Sequence, residues 1–154
     1  MREAERELRV ETTIAASPSQ VWAVLSNLDR MPEMSPELVR MVPLKRGGLR
    51  AGQAYLGINK RKWVVWPTRS GVVTVDPEKA LAWDTKSSGA RWIYELTPEG
   101  DGTRVVHRRP VPRGLTLIGK AFAPVALGGI EGHAHELEAG MGQTLARLKA
   151  AVEG

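Results

Sequence analysis

The sequence predicts an α+β fold in which a curved, seven-stranded antiparallel sheet wraps around a long C-terminal helix, with two short helices between the first and second strands. Four of the five Trp and both Tyr lie between Tyr55 and Tyr94, in short β-rich runs separated by turn signals. The closing segment has instead the apolar spacing of one amphipathic helix. We therefore expect bulky rings to face the space between sheet and helix, where a cavity would bind an apolar molecule.

Length, composition and charge exclude several classes of protein. A chain of 154 residues fits one domain, and we expect residues 1–154 to form it. The lack of cysteine excludes disulfides, thiolate metal sites and Cys nucleophiles. Apolar runs are too short to span a bilayer and the first residues are charged, so we expect a cytoplasmic protein without stable membrane insertion. The 17 acidic residues are interspersed among the 22 basic ones, and a net charge of only +5 favours no nucleic-acid partner.

The beginning of the chain predicts a strand followed by a helix. Apolar and polar residues alternate from 7 to 14, which is typical of a half-buried strand. Ser17 is then a helix N-cap, Pro18 occupies the first helical position, and Gln20 lies three residues after the cap, close to a capping box. We expect a helix from Pro18 to about Leu28, after which two prolines allow at most another short turn.

The middle of the chain predicts antiparallel sheet. Six further strands are expected between Leu38 and Val111, because β-branched and aromatic residues recur in short runs between turn signals. Their expected limits are 38–46, 52–61, 63–75, 79–86, 90–98 and 102–110. Lys60, Arg61 and Lys62 would form a charged hairpin tip that protects strand edges from aggregation.

The closing segment, from roughly Gly129 to Glu153, predicts a long amphipathic helix. Its apolar residues recur every three or four positions and form one stripe. The stripe consists of Ile130, Ala134, Leu137, Met141, Leu145, Leu148 and Val152. Gly140 and Gly142 interrupt it, and each costs about 1 kcal/mol relative to Ala in an exposed helix. Either the backbone approaches a strand or ligand closely at these glycines, or they adjust packing.

This order of elements resembles the helix-grip fold of the START-like, Bet v 1-like (SRPBCC) superfamily, and more narrowly its polyketide cyclase/dehydrase and lipid transport family. The segments that carry the resemblance are the opening strand with 18–29, then 57–60, 76–83, 92–98 and 102–105. These motifs are mostly structural and therefore specify the fold better than the function. The sequence departs from the family pattern at Met34, where many relatives carry Trp, and at Glu78 and Lys79, which replace the usual Gly of the turn.

The resemblance implies a deep apolar cavity between the sheet and the final helix, which the family uses for lipids, quinones, hormones, polyketides and other hydrophobic molecules. Such cavities are lined mainly by aromatic and apolar groups with a few polar anchors. The expected lining residues are Met34, Tyr55, Trp66, Trp83, Trp92, Tyr94, His107, Leu137 and Met141. For any single ring, the alternative is that it fills a solid core.

Histidines are few, and only His107 is a candidate for chemistry. It shares an alternating strand face with Thr103 and Val105, where it would supply a polar anchor or a proton in an apolar pocket. The alternative is a hydrogen-bonded or exposed histidine without a role. His133 and His135 lie two residues apart on a helix and cannot ligate one metal together, so we expect no metal site and no cofactor.

One apolar segment, 110–129, is too rich in Gly and Pro for a regular helix. We expect it to cap the mouth of the cavity. It would act as a mobile lid that admits ligand, or as a surface that docks on a membrane or a second subunit. A homodimer is therefore left open.

Three classes of function follow from these observations. The first is binding or transport of a small hydrophobic ligand, such as a lipid, polyketide or quinone. The alternative is a polyketide cyclase, aromatase or dehydratase type of enzyme that uses the same cavity, with His107 or Tyr94 moving protons. The third is an interaction module that contacts ribosomes, nucleic acid or membranes through its basic surface. Sequence signatures of other catalytic classes are absent.

Overall fold

Seven strands form one antiparallel sheet in the computed structural model, which describes residues 7–86, 89–110 and 130–154, and side chains in the last range from 137 onward. The strands are β1 (Leu8–Ile14), β2 (Leu38–Pro43), β3 (Ala54–Arg61), β4 (Val64–Asp76), β5 (Ala80–Thr85), β6 (Arg91–Glu99) and β7 (Gly102–Arg109). Their order across the sheet is β1-β7-β6-β5-β4-β3-β2, so β1 and β2 are the two edges. The predicted antiparallel sheet is confirmed.

The helices lie where the sequence predicts them. They are α1 (Pro18–Leu25), a 3₁₀ turn (Leu28–Arg30), α2 (Met31–Met34) and α3 (Ile130–Glu153). The start of α1 is a complete capping box, because the Gln20 amide donates to Ser17 Oγ at 3.2 Å and the Ser17 amide donates to Gln20 Oε1 at 3.0 Å.

The first helix ends three residues before the predicted Leu28. The Ser26 hydroxyl donates to the Trp22 carbonyl at 2.6 Å, and the Asn27 amide donates to the Val24 carbonyl at 3.3 Å, which tightens the last turn. Asn27 then leaves the helical region with φ −86° and ψ 86°. Leu28 is nevertheless buried, because the 3₁₀ turn directs it into the core.

The terminal helix α3 packs mainly on the edge strand β1. Lys149 Nζ donates to the Thr13 carbonyl at 2.6 Å, and the Glu153 carboxylate accepts from the Ala15 amide at 2.7 Å. Within the described side chains the predicted stripe is confirmed, since its members are buried or half-buried from Leu137 to Val152. The side chains of Ile130, Ala134, His133 and His135 lie outside the described residues.

The two glycines of α3 have different surroundings. A Cβ built on Gly140 would lie 3.2 Å from Pro36 Cγ, in the connection between α2 and β2. At Gly142 the corresponding position has no heavy atom of the described residues within 4 Å. Gly140 therefore adjusts helix packing, which is one of its two expected roles, whereas Gly142 has no such contact with the described part of the chain.

A buried glutamine organises the connection between β2 and β3. Gln53 is fully buried, and its Nε2 donates to the carbonyls of Lys45 and Gly48, both at 2.9 Å. Its Oε1 accepts from the amides of Lys45 and Ala54. Because this side chain takes over the hydrogen bonds of Lys45, β2 ends at Pro43 rather than at the predicted residue 46.

In the described part of the chain, no helix is long and apolar enough to cross a membrane. The expected cap over the cavity, 110–129, lies outside the described residues except for Pro110.

Candidate functional site

Two cross-strand rows of aromatic and polar side chains occupy the inner face of the sheet, the face that carries the helices. They lie on β5, β6 and β7, where alternation turns every second residue inward. One row holds Trp83, Trp92 and Arg109, and the neighbouring row holds Leu81, Tyr94 and His107. Four of the predicted site residues are therefore brought together: Trp83, Trp92, Tyr94 and His107.

His107 stacks closely on its neighbours. Its ring lies parallel to that of Tyr94, with 3.8 Å between centroids and 7° between planes. The Trp92 ring lies 5.9 Å from the same imidazole, and Trp83 lies 5.7 Å from Tyr94. Each of the four rings therefore packs against at least one other aromatic ring of the set. We call this set of four rings the aromatic stack.

A backbone contact selects the tautomer of His107, and burial keeps its imidazole neutral. Its Nδ1 lies 2.9 Å from the Ile93 carbonyl oxygen, which can only accept, so Nδ1 carries the proton and Nε2 keeps its lone pair. Burial lowers the pKa of His107 from 6.5 to about 4, against the opposing effect of the Ile93 hydrogen bond. The imidazole is therefore neutral at physiological pH.

Tyr94 lies beneath the second helix. Its hydroxyl approaches Met31 Sδ of α2 at 4.0 Å, and both side chains are buried. Burial raises the pKa of Tyr94, so the phenol keeps its proton. The aromatic stack thus contains one neutral hydrogen-bond acceptor, the Nε2 of His107, and one phenolic donor.

Trp92 and Arg109 form the more open row of the inner face. The Trp92 indole donates to Thr85 Oγ1 at 3.0 Å, yet its ring is only half-buried. The Arg109 guanidinium carbon lies 6.0 Å from the centre of that ring, within the range of a cation–π contact, and the side chain is 3% exposed. Sequence reasoning did not identify Arg109 or Thr85. The alternation along β7 could have identified Arg109, because the buried positions that include Thr103 and His107 recur every second residue and the next one is 109.

Tyr55 and Met34 join the aromatic stack through the core. Both are buried, and both belong to the same contiguous hydrophobic cluster as Trp83 and Tyr94. Burial, with a smaller effect of the Asp29 carboxylate, raises the pKa of Tyr55. Whether Tyr55 and Met34 contact a ligand stays a prediction.

Three predicted lining residues lie away from the aromatic stack. Trp66 is six residues along β4 from Val72, the register partner of Trp83, which places it about 20 Å away along the strand. Leu137 is half-buried and Met141 is buried, both on α3. Their roles in binding also stay predictions.

A concavity lies at the β2 edge. This groove of about 390 Å³ is open to solvent and lies between β2 and the 3₁₀ turn. It is lined by Asp29, Pro32, Val39, Arg40, Met41, Val42 and Pro43. None of these residues was predicted to line a site, and the groove is separate from the aromatic stack. Elsewhere, no three His, Asp or Glu side chains of the described residues lie together as metal ligands would.

The sheet, the terminal helix and the aromatic inner face together define the helix-grip class of protein. A family model described as "Polyketide cyclase / dehydrase and lipid transport" matches residues 5–153, and the chain belongs to this family. The resemblance inferred from the sequence motifs is thus confirmed.

Solved structures support the fold. StfQ, a di-domain ARO/CYC protein from the steffimycin biosynthetic pathway, superposes with a TM-score of 0.72 at 19% identity, over 98% of this chain and 52% of its own. This chain thus spans about half the length of StfQ. The KanY protein has a TM-score of 0.72 at 19% identity, over 97% and 99% of the two chains. The Polyketide_cyc-like protein Cgl2372 from Corynebacterium glutamicum has a TM-score of 0.63 at 25% identity, over 96% and 93%. No curated protein sequence is significantly similar to this chain.

Proposed function

We propose that this protein binds a small hydrophobic molecule between the inner face of the sheet and α3, with Trp92 as the principal contact. The observation that carries the proposal is the exposure of Trp92. On the same inner face Trp83 is 8% exposed and Tyr94 is 2% exposed, whereas Trp92 is only half-buried. Because Thr85 holds the indole nitrogen, the ring offers a fixed apolar face to a ligand.

Arg109 favours a particular ligand chemistry. Because Arg109 is only 3% exposed, its guanidinium would act on a ligand at Trp92 through its positive charge rather than by direct contact. This charge favours a carboxylate, sulfonate or polarised carbonyl at one end of an otherwise apolar molecule. The family description, which includes lipid transport, supports a ligand of this kind. A lipid, polyketide or quinone would each satisfy this chemistry.

A dye titration tests the proposal directly. Anilinonaphthalene sulfonate combines an apolar ring system with one anionic group, and its fluorescence rises on binding. The Trp92→Ala variant should bind the dye about two- to twelvefold more weakly, since an aromatic contact contributes about 0.5–1.5 kcal/mol and each 1.4 kcal/mol is a factor of ten.

The matched control is Trp63→Ala, which removes an indole that is 87% exposed. This variant should bind the dye as the wild type does. Equal affinity for all three proteins would contradict the proposal. Native mass spectrometry of gently purified protein, followed by solvent extraction, would then identify the physiological ligand.

A polyketide cyclase, aromatase or dehydratase activity is the second candidate, and the pairing of His107 with Tyr94 favours it. A neutral imidazole with a free Nε2 lone pair and a protonated phenol lie side by side, as an acid and base would. With a pKa of about 4, His107 is a weak base suited only to an acidic carbon, such as a methylene between two carbonyls. Binding remains the first proposal because both side chains are 2% exposed.

The His107→Gln variant separates the two functions. If the protein is such an enzyme, the variant should lose turnover of a poly-β-ketone thioester and keep its affinity for the dye. Unchanged turnover in the variant would exclude His107 as the base.

A further inference from the structure

The positive charge of this protein is concentrated in one region. Residues 38–75 contain eight Lys and Arg and no Asp or Glu, so the remainder of the chain carries 14 basic and 17 acidic residues. The acidic residues are therefore interspersed among the basic ones in the rest of the chain but not in this region. The whole excess lies on β2, β3, most of β4 and their connections.

The other four strands of the sheet carry carboxylates beside their cations. On β1, β5, β6 and β7 the outer-face cations form ion pairs with carboxylates. The pairs are Arg104–Glu11 at 2.6 Å, Arg108–Glu95 at 2.8 Å and Arg91–Asp84 at 2.7 Å. Residues 38–75 supply no carboxylate of their own for such pairs. A positive potential is therefore expected over this part of the sheet.

Exposed apolar side chains share the same surface. Trp63, at the tip of the β3–β4 hairpin, is 87% exposed, and Val65 is 60% exposed opposite Lys60. The helices contact the inner face, so in the described structure no element covers the outer face of β2–β4. We define the basic hairpin face as Arg40, Lys60, Lys62, Trp63, Val65 and Arg69, all of them exposed.

The backbone at the hairpin tip holds Trp63 at its apex. Arg61 pairs with Val64, which leaves a turn of only Lys62 and Trp63. Lys62 has φ 57°, in the left-handed region that favours Gly or Asn. This tight turn places an indole that is 87% exposed at the end of the hairpin, where it can reach a partner surface.

We propose that the basic hairpin face docks on an anionic membrane surface, with Trp63 at the level of the lipid headgroups. Trp is enriched at that depth, and Lys and Arg are attracted by anionic lipids. The exposed aliphatic Val65 gains from contact with acyl chains and gains little from a phosphodiester backbone, which favours a bilayer over nucleic acid. The inference goes beyond the proposed ligand binding and does not require an occupied inner face.

Vesicle sedimentation tests the docking. The protein should bind vesicles that contain phosphatidylglycerol, should not bind pure phosphatidylcholine, and should dissociate as salt is added. The double variant Lys60→Gln/Lys62→Gln should bind at least tenfold more weakly, since each lysine near such a surface contributes about fivefold. The charge-matched control Lys79→Gln/Arg147→Gln changes two exposed cations outside the basic hairpin face and should bind like the wild type.

Brominated acyl chains test the role of Trp63 specifically. They should quench part of the tryptophan fluorescence of the wild type on anionic vesicles, and this quenching should disappear in Trp63→Phe. Equal vesicle binding by the tip and control double variants, or quenching that persists in Trp63→Phe, would overturn the proposal. So would tip-dependent binding of a single-stranded oligonucleotide without vesicle binding. Dye binding in the tip variants should be unchanged, so that either proposal can fail alone.

Discussion

The titration of His107 makes the stability of the protein depend on pH. The folded pKa of His107, about 4, lies below the unfolded value of 6.5, so protonation favours the unfolded chain. The contribution of His107 to stability is fully present above about pH 6.5 and is lost as the pH falls toward 4. A shift of this size corresponds to roughly 3 kcal/mol.

Urea unfolding at a series of pH values measures this effect. The unfolding free energy of the wild type should fall between about pH 6.5 and pH 4, and His107→Gln should show a shallower fall because Gln does not titrate. Equal slopes for the two proteins would show that carboxylates alone cause the acid sensitivity.

At single residues, the alternation along a strand predicted which face of the sheet a side chain lies on, but not which side chains it contacts. The sequence placed His107 on one face with Thr103 and Val105, and all three are buried. It could not show that Tyr94 lies 3.8 Å away, because that contact depends on the register between β6 and β7. Arg109 was missed for another reason. An arginine at a strand end is normally exposed, and burial beside Trp92 becomes visible only in three dimensions.

At the level of elements, the two glycines of α3 give opposite expectations. Gly142→Ala should stabilise the protein by up to about 1 kcal/mol, because Ala is the better helix former and its methyl contacts none of the described residues. Gly140→Ala should gain less or destabilise, because its methyl would press on Pro36 at 3.2 Å. Urea midpoints of the two variants measure the difference, and a larger gain at Gly140 would contradict this packing.

The element boundaries were predictable where local chemistry sets them. Ser17 and Gln20 form the capping box at the predicted start of α1. The end of that helix was not predictable, because it depends on whether the Ser26 hydroxyl bonds to solvent or to the Trp22 carbonyl. The early end of β2 depends on Gln53, a residue whose burial no local pattern indicates.

At the level of the molecule, the sheet order predicts which strands open first. Strand β7 is hydrogen-bonded to both β1 and β6, whereas β2 is an edge bonded only to β3. Hydrogen exchange with mass spectrometry should therefore find the slowest amides in β7 and faster exchange in β2. Protection of β2 equal to that of β7 would indicate that another surface covers this edge.

The architecture as a whole followed from the sequence more readily than the site did. Period-two runs, turn signals and one long amphipathic stripe together specify a curved sheet with a terminal helix. Trp66 shows what the sequence could not predict about the site. Its position on the inner face was predictable, but its distance of about 20 Å from the aromatic stack was not. That residues 1–154 fold as one domain stays a prediction.

The order of strands also separates charge across the described sheet. The cation-rich strands lie toward the β2 edge, while β1, with its ion pairs and α3, forms the other edge. Such a molecule has an electric dipole directed across its strands. Near a negatively charged interface this dipole produces a torque that turns the β2 edge toward the interface before any contact is made. Association with the interface would then be fast and oriented at low ionic strength. It would be slower at physiological ionic strength, where the Debye length is about 8 Å.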